Sequence, residues 1–175
     1  TEKNTVERLL SEQLPAVLDQ GLAKSADVFC EPGWFSLEST ERILTYAMGC
    51  GLSGRLHIDE FVDGKGGALA SKLGVVTADH ALQTSEEGRR AMADADVITG
   101  FLPGTPHMMN LSMPDIGSTP GAYTIASDFN PNCPSLSLPF AASLAVHRAG
   151  ITPEAALAAV TTTAGKSVPR NDGTP

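Results

Sequence analysis

The chain has 175 residues, 42% of them hydrophobic, which is enough apolar material for the core of one ordinary domain and too much for a disordered chain. Twenty acidic residues against twelve basic ones leave a net charge of -8, which repels phosphate backbones and leaves no basic patch for nucleic acid or an anionic membrane. No apolar run is long enough to cross a bilayer, and the opening Thr1-Glu-Lys-Asn-Thr5 lacks the basic-then-apolar order of a signal peptide, so a cytoplasmic protein is expected.

Val6, Leu9, Leu10, Leu14, Val17 and Leu18 recur at helical spacing, predicting an amphipathic helix disturbed by Pro15 and stopped by Gly21. Asp27-Val-Phe-Cys30 reads as a short strand. Pro32-Gly33 then turns the chain into a helix over about Leu37 to Met48, capped by Ser36 and closed by Gly49 and Gly51. In Arg55-Leu-His-Ile-Asp-Glu60, apolar Leu56 and Ile58 alternate with polar His57 and Asp59, the period-two pattern of a strand. The Gly-rich Asp63-Gly-Lys-Gly-Gly67 reads as a flexible loop without the ending of a phosphate-binding loop, followed by a short helix that stops at Gly74.

Val75 to His80 makes a third strand ending in a polar pair, and Thr84-Ser-Glu-Glu87 has the capping-box pattern of the next helix start. Val97 to Leu102 is a fourth strand, broken by Pro103-Gly104. The Pro- and Gly-rich stretch from Pro106 to Gly121 reads as an irregular connection. Tyr123-Thr-Ile-Ala126 is a fifth strand, after which Asp128 falls among turn residues. Two helices close the pattern, one from about Ser137 to Ala149 and one beginning at Thr152 with Pro153 in its first turn.

Five strands alternating with helices imply an α/β fold with a parallel sheet. A closed barrel needs eight strands, so the sheet is either open and doubly wound or the later part of a (β/α)8 barrel. No Gly-x-Gly-x-x-Gly follows any strand, and the partial barrel is favoured. In such a barrel, groups at the carboxyl ends of strands are candidate site residues, and imidazole and carboxylate are ordinary ligands of divalent transition metals. His57, His80 and Asp128 stand at such ends. Each also has a plain reading: His57 as a hydrogen-bonded partner of an Asp, His80 as a cap for the Thr84 loop, Asp128 as an Asx turn, Glu60 as a solvated strand-end residue. Cys30, Cys50 and Cys133 are odd in number and unpaired by any CxxC, which suggests buried thiols and no disulfide framework. His107 and His147 read as surface or helix-side residues.

Asp27-Val-Phe-Cys-Glu31, Arg55-Leu-His-Ile-Asp-Glu60, Ala78-Asp-His80, Leu102-Pro-Gly-Thr105 and Ser127-Asp-Phe-Asn-Pro131, in that order, resemble the metal-dependent amidohydrolases, and within them the imidazolonepropionases. The resemblance spans nearly the whole chain and implies a single partial barrel domain over residues 1–175, with strands four to eight of a TIM-type (β/α)8 barrel. It implies a hydrolase that opens the ring of 4-imidazolone-5-propionate to N-formimino-L-glutamate in histidine degradation. By the same resemblance His57 and Asp128 are metal ligands for one zinc or iron ion. Asp128, His80 and Glu60 are catalytic, and Glu60, Asn130, Asn132 and Cys133 line the substrate pocket. The family has Gly where this chain has Asn132. The resemblance further implies that a His-x-His pair, an Arg, a Tyr and another His lie in parts of the family's length outside this chain. The isolated chain is therefore expected to be inactive and to self-associate as a homo-oligomer through exposed sheet edges. The alternatives are another amidohydrolase, such as a heterocycle deaminase, and a non-catalytic half-barrel that only associates.

Overall fold

A computed structural model describes residues 1–168. The chain divides into two compact units, one over Thr1–Val97 and one from Ile98 onward.

The first unit opens with α1 (Glu2–Arg8), a π-helical turn (Leu9–Gln13) and α2 (Leu14–Gln20), which ends at Gly21 with φ 66°. The widened turn directly precedes Pro15, whose missing N–H and ring would otherwise disrupt a regular helix. Strand β1 (Ser25–Cys30), helix α3 (Leu37–Gly49), β2 (Ser53–Ile58), helix α4 (Gly66–Leu73), β3 (Thr77–His80) and helix α5 (Glu86–Asp94) then alternate. β1 pairs parallel with β2, and β2 parallel with β3. The register aligns Phe29 with His57 and His57 with Asp79, so these three residues form one row across the strands.

Leu56 and Ile58 are fully buried and pack with Val28, Cys30, Ile43, Leu44, Leu69 and Ala70 in the core of this unit. The alternating pattern of β2 therefore sends its apolar side chains to the helices and leaves Arg55 and His57 on the other face, partly exposed. The alternation stops at Ile58. Asp59 was expected on the polar face with His57, but it adopts φ 49° and is completely buried.

In the second unit, β4 (Ile98–Phe101), the one-turn helix α6 (Gly104–Met108) and β5 (Tyr123–Ile125) precede α7 (Leu138–Arg148), α8 (Pro153–Val160) and α9 (Thr162–Ser167). β4 and β5 pair in parallel. Phe101, Ile116 and Ile125 pack with the alanine faces of α7 and α8, including Ala141, Ala145, Ala156 and Ala159. Ser137 and Thr152 cap their helices as expected, accepting from the N–H groups of Phe140 and Ala155. The connection after β4 is irregular as expected, apart from the turn of helix that contains Pro106.

Two expectations change. Ser85, one residue later than the capping-box reading placed it, caps α5 by accepting from Gly88 N–H, because Thr84 donates its hydroxyl to Asp59. The Asp63–Gly67 segment is not a free loop. The N–H groups of Gly64, Gly66 and Gly67 all donate to the Asp59 carboxylate, and Gly66 and Gly67 are buried in the first turn of α4. Cys30 and Cys133 are buried thiols and Cys50 is exposed; no disulfide forms. Among the described residues, no helix is long and apolar enough to cross a membrane.

Candidate active site

In the first unit, His57 lies near the end of β2 with its Nδ1 3.0 Å from Oδ1 of Asp27 on β1. A carboxylate can only accept, so this contact places a hydrogen on Nδ1. A metal-binding histidine is commonly oriented by such a carboxylate. The ring of His57 also meets the edge of Phe29, with centroids 6.1 Å apart, and lies 5.3 Å from the ring of His80. Asp79, the register partner of His57, completes a group: Asp27, His57 and Asp79 each place one ligand atom within 4.8 Å of the others. One imidazole with two carboxylates is a donor set that suits a divalent transition metal, so the residues fit the ion that the sequence resemblance implies.

His80 ends β3 with φ 68°, in the left-handed region, and is 3% exposed. Its Nε2 stands 3.7 Å from Oε2 of Glu60, an ion-pair distance when the imidazole is protonated. Glu60 is itself 7% exposed, which displaces the plain reading of a solvated strand-end residue. The helix that follows the Thr84 loop is capped by Ser85 through its own hydroxyl.

Two further carboxylates hold the loop that carries Glu60. Glu31, at the end of β1, accepts from the backbone N–H groups of Glu60 and Phe61. Burial pushes the Glu31 carboxyl above its ordinary value, with the Asp59 charge adding to the rise and the two N–H donors opposing it. Asp59 binds the other side of the same loop through three glycine N–H groups and Thr84 Oγ1. The first unit also bears an aromatic group where β1 and β2 end: Trp34 meets Phe29 edge-on at 4.9 Å and stacks on Phe61 at 6.0 Å.

In the second unit, Asp128 lies just past β5 with φ 52°. Its Oδ2 accepts from the hydroxyl of Thr105, a residue buried in the first turn of α6. The Asx turn expected as the plain reading of Asp128 belongs instead to Asn130, whose Oδ1 accepts from the N–H groups of Asn132 and Cys133 at 2.8 and 3.3 Å. The Asn130 amide nitrogen donates back to the carbonyl of Asp128. Cys133 is completely buried, its thiol donating to Ser127 O and facing Gly104, while Asn132 is exposed.

His57, His80 and Glu60 are thus brought together in one unit, and Asp128, Asn130, Asn132 and Cys133 form one loop of the other. Non-glycine residues with positive φ include both His80 and Asp128. Such backbone costs about 1–3 kcal/mol each and persists where surrounding contacts hold it, as at functional sites. The residues that sequence reasoning did not assign to the site are Asp27, Asp79, Glu31 and Thr105. All four stand within the motifs quoted above, but nothing in the residue pattern says which partner each would meet.

No family model matches the chain. In sequence it is 40% identical over 168 residues to the imidazolonepropionase of Haloarcula marismortui, covering 94% of this chain and 40% of that protein. It is 38% identical over 172 residues to the imidazolonepropionase of Symbiobacterium thermophilum, covering 93% of this chain and 40% of that protein. The chain therefore spans about two-fifths of the length of these curated relatives. In structure it is similar to the N6-mAMP deaminase of Arabidopsis, with a TM-score of 0.69 at 18% identity over 96% of this chain and 51% of that one. That likeness concerns the fold, which is α/β and corresponds to part of a TIM-type barrel.

Proposed function

We propose that this chain is the later part of an imidazolonepropionase barrel, a metal-dependent hydrolase that opens the ring of 4-imidazolone-5-propionate to N-formimino-L-glutamate. The observation that carries the reading is the 40% identity maintained over 168 residues to an imidazolonepropionase. The site geometry adds support, because the Asp27 carboxylate orients the ring of His57, as carboxylates commonly do for a metal-ligating imidazole, and Glu60 and His80 are buried side by side.

In the complete protein His57 and Asp128 would each supply a ligand to one divalent ion, zinc or iron. When bound, such an ion polarises a carbonyl oxygen and lowers the pKa of water from about 15.7 to near 7. Asp128 accepts the proton of the attacking water and delivers it to the ring nitrogen as the C–N bond breaks, with Thr105 Oγ1 fixing the carboxylate's orientation. His80 donates a hydrogen bond to the oxygen of the attacked carbonyl as charge develops on it. Glu60 accepts from ring N–H groups, held in place by the pull of Glu31 on its backbone. Asn130, Asn132 and Cys133 shape the loop beside Asp128, with exposed Asn132 offering a side chain and buried Cys133 a backbone contact. A small-molecule metabolite as substrate agrees with a cytoplasmic location. Self-association through the strand edges belongs to the same reading.

The test is a chimera in which the leading part of the Haloarcula marismortui relative is joined to this chain and assayed with zinc or iron. Ring opening that disappears in His57→Ala and Asp128→Asn supports the reading, together with no turnover by the chain alone. A folded chimera that leaves imidazolone propionate intact, or prefers to deaminate an aminated heterocycle, overturns it.

A further inference from the structure

We propose that Arg89 is a positioning residue for His80: its guanidinium clamps the loop after β3 and so holds the His80 imidazole beside Glu60. The catalytic consequence rests on the role given to His80 in the proposed hydrolase, whereas the clamp itself can be tested on this chain alone.

His80 is placed by an unfavourable backbone corner. Two consecutive non-glycine residues, His80 with φ 68° and Ala81 with φ 49°, lie in the left-handed region, where a Cβ crowds the following carbonyl. Such a corner persists where surrounding contacts hold it. The N–H of Ala81 donates to Ile58 O at 3.0 Å and to Asp79 O at 3.1 Å, which ties the corner to β2 and β3. Further along the loop, Gln83 N–H donates to Asp59 O and the Thr84 hydroxyl to the Asp59 carboxylate. The carbonyls are met from α5. Arg89 Nη2 donates to Ala81 O at 2.8 Å, and Nε donates to Thr84 O at 3.2 Å. One planar group thus joins the first and last residues of the segment 81–84.

The clamp suits an arginine. Its donors are charged, and Ala81 is completely buried, so the bond to its carbonyl is strong and sheltered from competing water. Two nitrogens of one rigid fork reach two carbonyls, whereas a lysine ammonium is a single point. Release of the Ala81 carbonyl lets the corner relax towards negative φ, and rotation there carries the His80 ring with it. The His80 and Glu60 side chains are only 4% and 9% exposed, with Nε2 and Oε2 3.7 Å apart, so a small rotation changes their contact. A displacement of about 1 Å at a group that touches the reacting carbonyl costs on the order of 100-fold in rate. Neighbouring Arg90 is the contrast, exposed and paired with Glu86 of its own helix.

The experiment compares Arg89→Leu, Arg89→Lys and Arg90→Leu by NMR of the full 175-residue chain, and the same substitutions in the chimera. Arg89→Leu should shift the His80 ring resonances and speed hydrogen exchange of the Ala81 amide at least about tenfold, with the Trp34 indole resonance in place. Arg89→Lys should fall between Arg89→Leu and the parent, and Arg90→Leu should match the parent. In the chimera, Arg89→Leu should lower kcat by about 10–100-fold with KM changed by less than about twofold. A measurement on the unmodified chain covers the case in which Arg89→Leu does not fold: the Arg89 Nε–H should exchange slowly, and rapid exchange overturns the clamp. His80 resonances unmoved by Arg89→Leu, or fully restored by Arg89→Lys, overturn it as well. A shifted His80 ring with kcat unchanged in an active chimera overturns the catalytic consequence. A chimera that hydrolyses nothing leaves the NMR readouts standing, so the two readings fail separately.

Discussion

The carboxylate of Asp59 accepts the hydroxyl hydrogen of Thr84 at 2.6 Å, tying the loop after β2 to the loop after β3. The same carboxylate receives the N–H groups of Gly64, Gly66 and Gly67, and so caps α4 from outside the helix, where the residue at the N-cap, Lys65, offers no side-chain bond. An anion at that position also opposes the positive end of the helix dipole. Asp59 is therefore the structural key to the segment that bears Glu60.

Asp59→Ala should destabilise the chain by about 3 kcal/mol or more, since it leaves buried N–H groups without an acceptor. Asp59→Asn, which keeps one acceptor oxygen, should cost less. Urea denaturation of both variants, with Thr84→Val and the double mutant, measures the coupling. An additive double mutant would mean that the 2.6 Å bond contributes nothing by itself.

A side chain at Gly66 would collide with the strand it packs on, because its Cβ would lie 2.5 Å from Ile58 Cβ. Gly66→Ala should lower stability by about 1–3 kcal/mol. Gly49, at the end of α3, has nothing within 4 Å of the same position, so Gly49→Ala should be neutral or stabilising by up to about 1 kcal/mol. Thermal melts of the pair separate close packing from helix propensity.

Glu31 predicts a pH dependence. Its carboxyl lies above the ordinary 4.5 chiefly because burial disfavours the charge, so the folded chain holds this proton more tightly than the unfolded chain. The stability it contributes is present below 4.5 and is lost as pH rises through the raised value. Glu31→Gln removes that loss while keeping an acceptor for Glu60 N–H. The stability of the variant relative to the parent chain should therefore increase with pH across that window, measured as denaturation midpoints at a series of pH values. A difference independent of pH would contradict the assignment.

Thr105 acts through Asp128. In an active chimera, Thr105→Val should lower kcat by about 10–100-fold with little change in KM, as expected for a group that orients a catalytic carboxylate. A matching fall for Thr105→Ser would point to packing, since serine restores the hydroxyl.

The strand–helix alternation was legible because its signals are local. Leu56 and Ile58 alternate with His57, Ser36 precedes its helix, and Gly21 and Gly74 follow theirs, so each reading needs only neighbours in sequence. The fate of Asp59 was not legible. Its positive φ removes it from the strand's alternation, and its partners are backbone N–H groups five to eight residues on, which carry no residue signature. The same bond explains the shifted cap of α5, since Thr84 fits a capping box until a buried carboxylate competes for its hydroxyl. The motifs named His57, His80, Glu60 and Asp128. The hydrogen bonds that aim His57 and Asp128, from Asp27 and Thr105, needed the three-dimensional pairing of strands and loops.

Trp34 is the chain's single tryptophan, and it stands 54% exposed against Phe29 and Phe61 in the first unit. Its emission is thus an intrinsic optical label for residues 1–97, whereas far-ultraviolet ellipticity sums over the helices of both units. Comparing the two signals along one denaturation curve divides the chain without cutting it. Coincident midpoints would describe a single cooperative transition, and separated midpoints would give each half its own free energy.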